Sequence, residues 1–202
     1  MRLTVRYRRT NVTLAKMTDH EQLVRLLAAR SARRGNFTLA SGRQSSLYID
    51  ARLTTMTPEG QQLIGRLGLE AIRDAAWQPD AVGGLTLGAD PVAYAICHSS
   101  AETDRPLRAF TVRKEPKAHG TGKQVEGPLA RGDRVVIVED VITTGGSAAR
   151  AIEAVKREGA IPVGVLALVD REEGGREHLE SLGLHVRALT TATEIVPHIA
   201  AS

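Results

Sequence analysis

The chain has 202 residues, 42% hydrophobic, 25% charged and 3% aromatic. This bounds it to one globular domain with a core of Leu, Val, Ile and Ala. Cys97 is the only cysteine, which excludes an internal disulfide and fits a reducing, cytoplasmic setting; no apolar run approaches membrane-spanning length, and residues 1–16 lack the apolar core of a secretory signal. The net charge of +4 invites a nucleic-acid role, but Arg2, Arg6, Arg8, Arg9 and Lys16 supply five positive charges and leave the remainder at about −1, so the basic character is that of a tail.

Residues 1–17 therefore read as a basic, disordered extension, with Met17 a plausible start of its own, and residues 18–202 as a single domain. Thr18 and Glu21 form a capping-box pattern, and Leu23, Val24, Leu26, Leu27 and Ala28 predict a helix running to about Arg34 and closed by Gly35. Apolar residues flanking Ser41-Gly42 predict a hairpin or two short strands over 37–50. Thr57-Pro58 starts a helix to about Ala76. A short strand over 80–84 leads into the loop 85–88 and a helix from Asp90 to about His98. Residues 107–112 form the next strand. The glycines, prolines and charges of 113–128 exclude a core element. Val135, Val136, Ile137 and Val138 then predict a buried central strand, followed by a helix ending near Gly159. A strand over 161–169, a helix over 175–181, a strand over 185–189 and a short final segment complete the chain. Strands alternating with helices in this way predict an α/β domain whose ligands bind beyond the C-terminal strand ends.

The informative stretch is 134–150. The central strand ends in Glu139 and Asp140; Val141 and Ile142 follow, then Thr143, Thr144, Gly145, Gly146 and Ser147. A strand, tight loop and helix start aim backbone N–H groups at one point, which suits a phosphate. The two carboxylates add acceptors for neighbouring hydroxyls, and a phosphorylated sugar carries both groups. The pattern is neither a Walker A loop nor a Rossmann fingerprint. A second stretch, 113–123, holds Arg113, Lys114, Lys117 and Lys123 beside His119, with glycines at 120 and 122. A flexible cationic loop of this kind suits closure over a highly charged anion.

The 134–150 stretch resembles the phosphoribosyl pyrophosphate (PRPP) motif of the type I phosphoribosyltransferases. Arg-Lys-x-x-Lys-x-His-Gly at 113–120 narrows the likeness to the orotate phosphoribosyltransferases. So do the hood-like Phe-x-Leu-x-Ser-Gly-x-x-Ser-x-x-Tyr-x-Asp at 37–50 and Asp170-Arg171 after the next strand. The resemblance implies a central, mainly parallel sheet flanked by helices, with a small N-terminal hood over about 18–55. It implies transfer of ribose 5-phosphate from PRPP to orotate, giving orotidine 5′-monophosphate and pyrophosphate, with Mg2+ as cofactor. PRPP would be bound by Arg113, Lys114, Lys117, His119, Glu139, Asp140, Val141, Ile142 and the loop 143–147. Lys117 and Asp140 would be the catalytic pair; Tyr48, Ile49, Thr143 and Arg171 would hold orotate. Mg2+ would ride mainly on substrate oxygens, with no protein ligand assigned. A homodimer sharing the mobile loop is implied, with no nucleic-acid or membrane partner. A purine phosphoribosyltransferase and a PRPP-sensing regulator of the same fold are the alternatives.

The sequence departs from the commoner family pattern in four places. Ala40 stands where many members have Lys. Leu87-Gly88 replaces Tyr-Lys. The acid pair is Glu-Asp instead of Asp-Asp, and Pro116 stiffens the loop. Cys97 reads as a core thiol, and His20, His98, His178, His185 and His198 as structural or surface residues.

Overall fold

A computed structural model describes residues 17–38, 44–115 and 123–200. The basic extension, Ala40, the Ser41-Gly42 turn, Pro116, Lys117 and His119 lie outside them.

Helix α1, Asp19–Arg30, starts on the predicted capping box: the Glu21 N–H donates to Thr18 Oγ1 at 3.1 Å and the Thr18 N–H to Glu21 Oε2 at 2.8 Å. It stops four residues short of the predicted end. Ser31 caps it, and its hydroxyl is buried against Thr54 Oγ1 at 2.7 Å while its carbonyl accepts from the Asp50 N–H. The next residues are drawn into strand β1, Ala32–Thr38, antiparallel to β2, Gln44–Ile49. Helical pattern thus yields to strand pairing at Ala32. The one-turn helix α2, Arg52–Thr55, follows, then α3, Pro58–Asp74, with Pro at its start as expected.

The main sheet has six strands. In chain order they are β3 (Ala81–Leu85), β4 (Arg108–Val112), β5 (Val125–Glu126), β6 (Arg134–Ile142), β7 (Ile161–Asp170) and β8 (Val186–Thr191). Their order across the sheet is β5-β4-β3-β6-β7-β8, all parallel except the edge strand β5. The stretch 113–128 therefore does contribute a short sheet element, and Val125 is buried there. Strand β6 also runs past the acids to Ile142, because its pairing with β7 continues through Val141↔Val169 and Ile142↔Asp170.

Alternation along β6 explains the layers. Val136 and Val138 face the side covered by α1, α3 and α4 (Ala89–Ser100); Val135 and Ile137 face the side covered by α5 (Gly146–Arg157). Burial on both faces requires apolar residues at successive positions, which is why the strand reads as a continuous run. Helix α6, Gly175–Ser181, adds Leu179 to the α5 side; a short α7, Ala192–Ile195, closes the chain beside α1. Cys97 is only half-buried, and His20 Nε2 lies 3.4 Å from Glu194 Oε1. Among the described residues no helix is long and apolar enough to cross a membrane.

Candidate active site

A cleft of about 340 Å³ opens at the C-terminal ends of β3, β4 and β6. The end of β6 forms its floor. Glu139, paired in register with Ala167 of β7, is 7% exposed, and its Oε2 has no hydrogen-bond partner. Burial, then the adjacent Asp140 carboxylate, pushes the Glu139 carboxyl up to about 8; Arg150 opposes this. Burial also raises Asp140, against the Val141 N–H that donates to its Oδ1 at 3.0 Å. The floor is thus a pair of carboxyls short of donors, suited to accept hydroxyls.

Beyond them the loop turns into α5. Gly145 adopts a left-handed conformation, φ 77°, that disfavours any side chain, and it precedes the first helical residue, Gly146. No side chain caps α5, which leaves its first N–H groups for an anion. Ser147 and Arg150 bring this helix start to the cleft.

The facing wall is the loop after β3. Thr86 and Leu87 are joined by a cis peptide; the Thr86 N–H donates to Val112 O at 2.8 Å, and Thr86 Oγ1 to Asp90 Oδ2 at 2.7 Å. Asp90 also accepts from Thr111 Oγ1 at 2.9 Å, so β3, β4 and α4 hold the loop together. A β-carbon at Gly88 would press on the Asp140 carboxylate, so this loop and the floor sit in close contact. The hood supplies the rim through Tyr48, Ile49, Asp50 and Arg52. Tyr48 stacks on Phe37 with ring centroids 5.3 Å apart.

Of the sequence-derived site residues, the cleft gathers Tyr48, Ile49, Lys114, Glu139, Asp140, Val141 and Ser147. Ile142 is buried in the core below the loop. Thr143, Thr144, Gly145 and Gly146 build the turn without lining the cleft itself. Arg113 turns aside: its guanidinium lies 3.6 Å from Glu126, and its N–H donates to Gln124 O. Arg171 is 7% exposed and lies outside the cleft lining, with its N–H on Ile142 O at 2.9 Å. Its Nη2 donates to Glu173 Oε1 at 2.6 Å and to Ser45 Oγ at 3.1 Å, while Nε is buried without a partner. Asp170 beside it is structural, accepting from the Glu172 N–H and Arg176 Nε. Arg52, Asp50 and Arg150 are the charged cleft residues that sequence reading missed. Position 150 follows Ser147 by three, one helical turn, which is the signal that could have found it. Arg52 had no such signal, because α2 itself was not predicted.

Among the described residues no group of three or more His, Cys, Asp or Glu could hold a metal ion.

Comparison with known proteins agrees with this geometry. The phosphoribosyl transferase domain family matches residues 55–182. Orotate phosphoribosyltransferase of Aquifex aeolicus is 45% identical over 183 residues, covering 89% of this chain and 99% of that protein. The enzyme of that name from Rhodopirellula baltica is 46% identical, covering 86% and 92%. The crystal structure of Mycobacterium tuberculosis orotate phosphoribosyltransferase in complex with PRPP superposes with a TM-score of 0.75 at 41% identity, covering 89% of this chain and 99% of that one. With a carboxyl pair, a glycine-bent loop and an uncapped helix start set at the C-terminal edge of a parallel sheet, and with relatives matched over nearly their full length, the chain belongs to the orotate phosphoribosyltransferase family.

Proposed function

We propose that the protein transfers ribose 5-phosphate from PRPP to orotate, releasing pyrophosphate and forming orotidine 5′-monophosphate for pyrimidine synthesis. The observation that carries this reading is the juxtaposition of the Glu139-Asp140 floor with the uncapped start of α5, one for ribose hydroxyls and one for the 5′-phosphate. An orotate ring nitrogen attacks C1 as the bond from C1 to the pyrophosphate oxygen breaks, and the N–H proton is lost to pyrophosphate or water. Positive charge grows on the ribose and negative charge on the leaving group, so the residues act by electrostatics and positioning. Asp140 steadies the ribose. Lys114 at the cleft, with Lys117 and His119 of the loop, neutralises pyrophosphate. Thr143, Thr144, Gly145, Gly146 and Ser147 cradle the 5′-phosphate. Tyr48 and Ile49 border the base, and Arg171 receives its carboxylate, for which the unpartnered Nε is suited.

Mg2+ would find oxygen donors at the cleft floor, where Glu139 Oε2 has no partner. It would ride chiefly on pyrophosphate and ribose oxygens, near Glu139 and Asp140, and supply charge neutralisation when bound. A homodimer is supported by exposed apolar side chains on α2, just after it and on α4: Leu53, Met56 and Tyr94. Residues 18–202 act as the catalytic domain, and the lone Cys97 fits a cytoplasmic enzyme.

The test is loss of orotate absorbance with PRPP, run with and without Mg2+. Metal-dependent conversion to orotidine monophosphate is expected. Turnover of a purine instead of orotate would reassign the acceptor. PRPP binding without turnover, together with salt-sensitive binding to duplex DNA, would favour a regulator.

A further inference from the structure

Arg52 stands at the rim of the cleft, on the first residue of α2, with its side chain 47% exposed. Its Nε donates to Asp50 Oδ1 at 2.8 Å and its Nη2 to Asp50 Oδ2 at 3.0 Å. The two parallel bonds fix the plane of the guanidinium and use only part of its donor set. Asp50 is itself held: its N–H donates to Ser31 O at 2.9 Å, and its Oδ1 also accepts from the Arg52 N–H at 3.2 Å. The arginine is therefore a pre-oriented cation on a braced mount.

The wall beside it needs such a charge. The loop 85–88 offers backbone groups and no basic side chain. Leu87 is apolar and 60% exposed, and Gly88 has no side chain. Of the other cations lining the cleft among the described residues, Lys114 extends from the end of β4 and Arg150 lies on α5 beside Glu139. Without Arg52, an anion entering on the side of the hood and the 85–88 loop would face Leu87, Asp50 and Asp140. Arg52 and Asp140 line the same cleft. The start of α2 is held by Asp50 itself, whose Oδ1 accepts the Arg52 N–H.

We propose that Arg52 is a pyrophosphate-binding residue of this cleft, oriented by Asp50, and that it supplies from α2 the positive charge that Leu87 and Gly88 cannot supply from their loop. This rests on the phosphoribosyl-transfer reading above and assigns the side of the cleft from which pyrophosphate departs.

The test combines calorimetric titration of Mg-pyrophosphate with steady-state kinetics on R52A, R52K and the double variant R52A/L87K. Exposed Leu87 lines the same cleft, so a lysine there restores charge without burial. R52A is expected to weaken pyrophosphate binding and raise KM for PRPP, each by about tenfold or more, with KM for orotate within about twofold. R52K and R52A/L87K should each recover a large part of the loss. Pyrophosphate affinity in R52A equal to that of the parent protein would overturn the proposal. So would equal losses for PRPP and orotate, or no recovery in the double variant. The two readings separate cleanly. A parent protein that binds pyrophosphate but does not consume orotate breaks only the acceptor assignment; one that binds no pyrophosphate sinks both.

Discussion

At the N-terminal ends of the strands, Asp80, Arg108, Asp133 and Arg134 close on one another. Asp133 accepts from Arg108 Nη2 at 2.8 Å and from the Ala130 N–H at 2.7 Å, while Asp80 accepts from the Arg134 N–H at 2.8 Å. Arg108 also reaches Pro128 O at 2.7 Å. At the C-terminal ends the same residue types are left with capacity to spare. Glu139 Oε2 and Arg171 Nε are buried without partners, and α5 starts with no side-chain cap. Buried polar groups are ordinarily satisfied. Where they are not, a ligand is the natural partner, and in a parallel sheet the C-terminal ends are where it sits. Charge at one end stabilises the fold; charge at the other waits for substrate.

Substitutions at the two ends should therefore differ in kind. The largest effect is expected at Lys117, on the cationic loop. Lys117→Ala should lower kcat by about 100-fold or more with an unchanged melting temperature. Turnover near that of the parent protein would remove the loop from the chemistry. Next, Arg171→Ala should raise KM for orotate by about 30-fold or more and leave KM for PRPP nearly unchanged. Equal changes in both constants would show that Arg171 does not read the base.

Gly88→Ala forces a β-carbon against the Asp140 carboxylate. It should cost about 1–3 kcal/mol of stability and lower kcat/KM for PRPP about tenfold, a joint effect that unfolding curves and kinetics together would reveal. At the opposite end, Asp133→Ala removes two acceptors and should cost about 1–2 kcal/mol while kcat and both KM values stay put. A kinetic defect there would erase the distinction between the two ends.

The last effect concerns pH. The Glu139 carboxyl is raised from an ordinary 4.5 to about 8, so the folded state holds its proton more tightly than the unfolded chain does. That contribution is fully present below 4.5 and lost as pH rises through 8. Glu139→Gln cannot lose it, so between about pH 5 and about pH 9 its melting temperature should fall distinctly less than that of the parent protein. Parallel pH profiles for the two proteins would place the carboxyl in water.

Much of this architecture is legible in the chain. The run 135–138 has to be a strand buried on both faces, because only a two-sided core tolerates apolar residues at every position. The acids and glycines after it announce a phosphate loop for reasons of local geometry alone. Thr18 with Glu21 and Thr57 with Pro58 mark helix starts that the structure keeps. Local rules failed where distant segments compete. Helix α1 stops at Arg30 because β2 pairs with the residues that follow, and β6 outruns its apolar run because β7 continues beside it. Only the folded chain could set Arg52 beside the 85–88 loop, place Gly88 on Asp140, and turn Arg113 toward Glu126. Residue type and near-neighbour spacing determine which groups are able to meet a phosphate or a carboxylate. Packing between segments far apart in sequence decides which of them share a cleft, since burial and pairing are settled by neighbours in space.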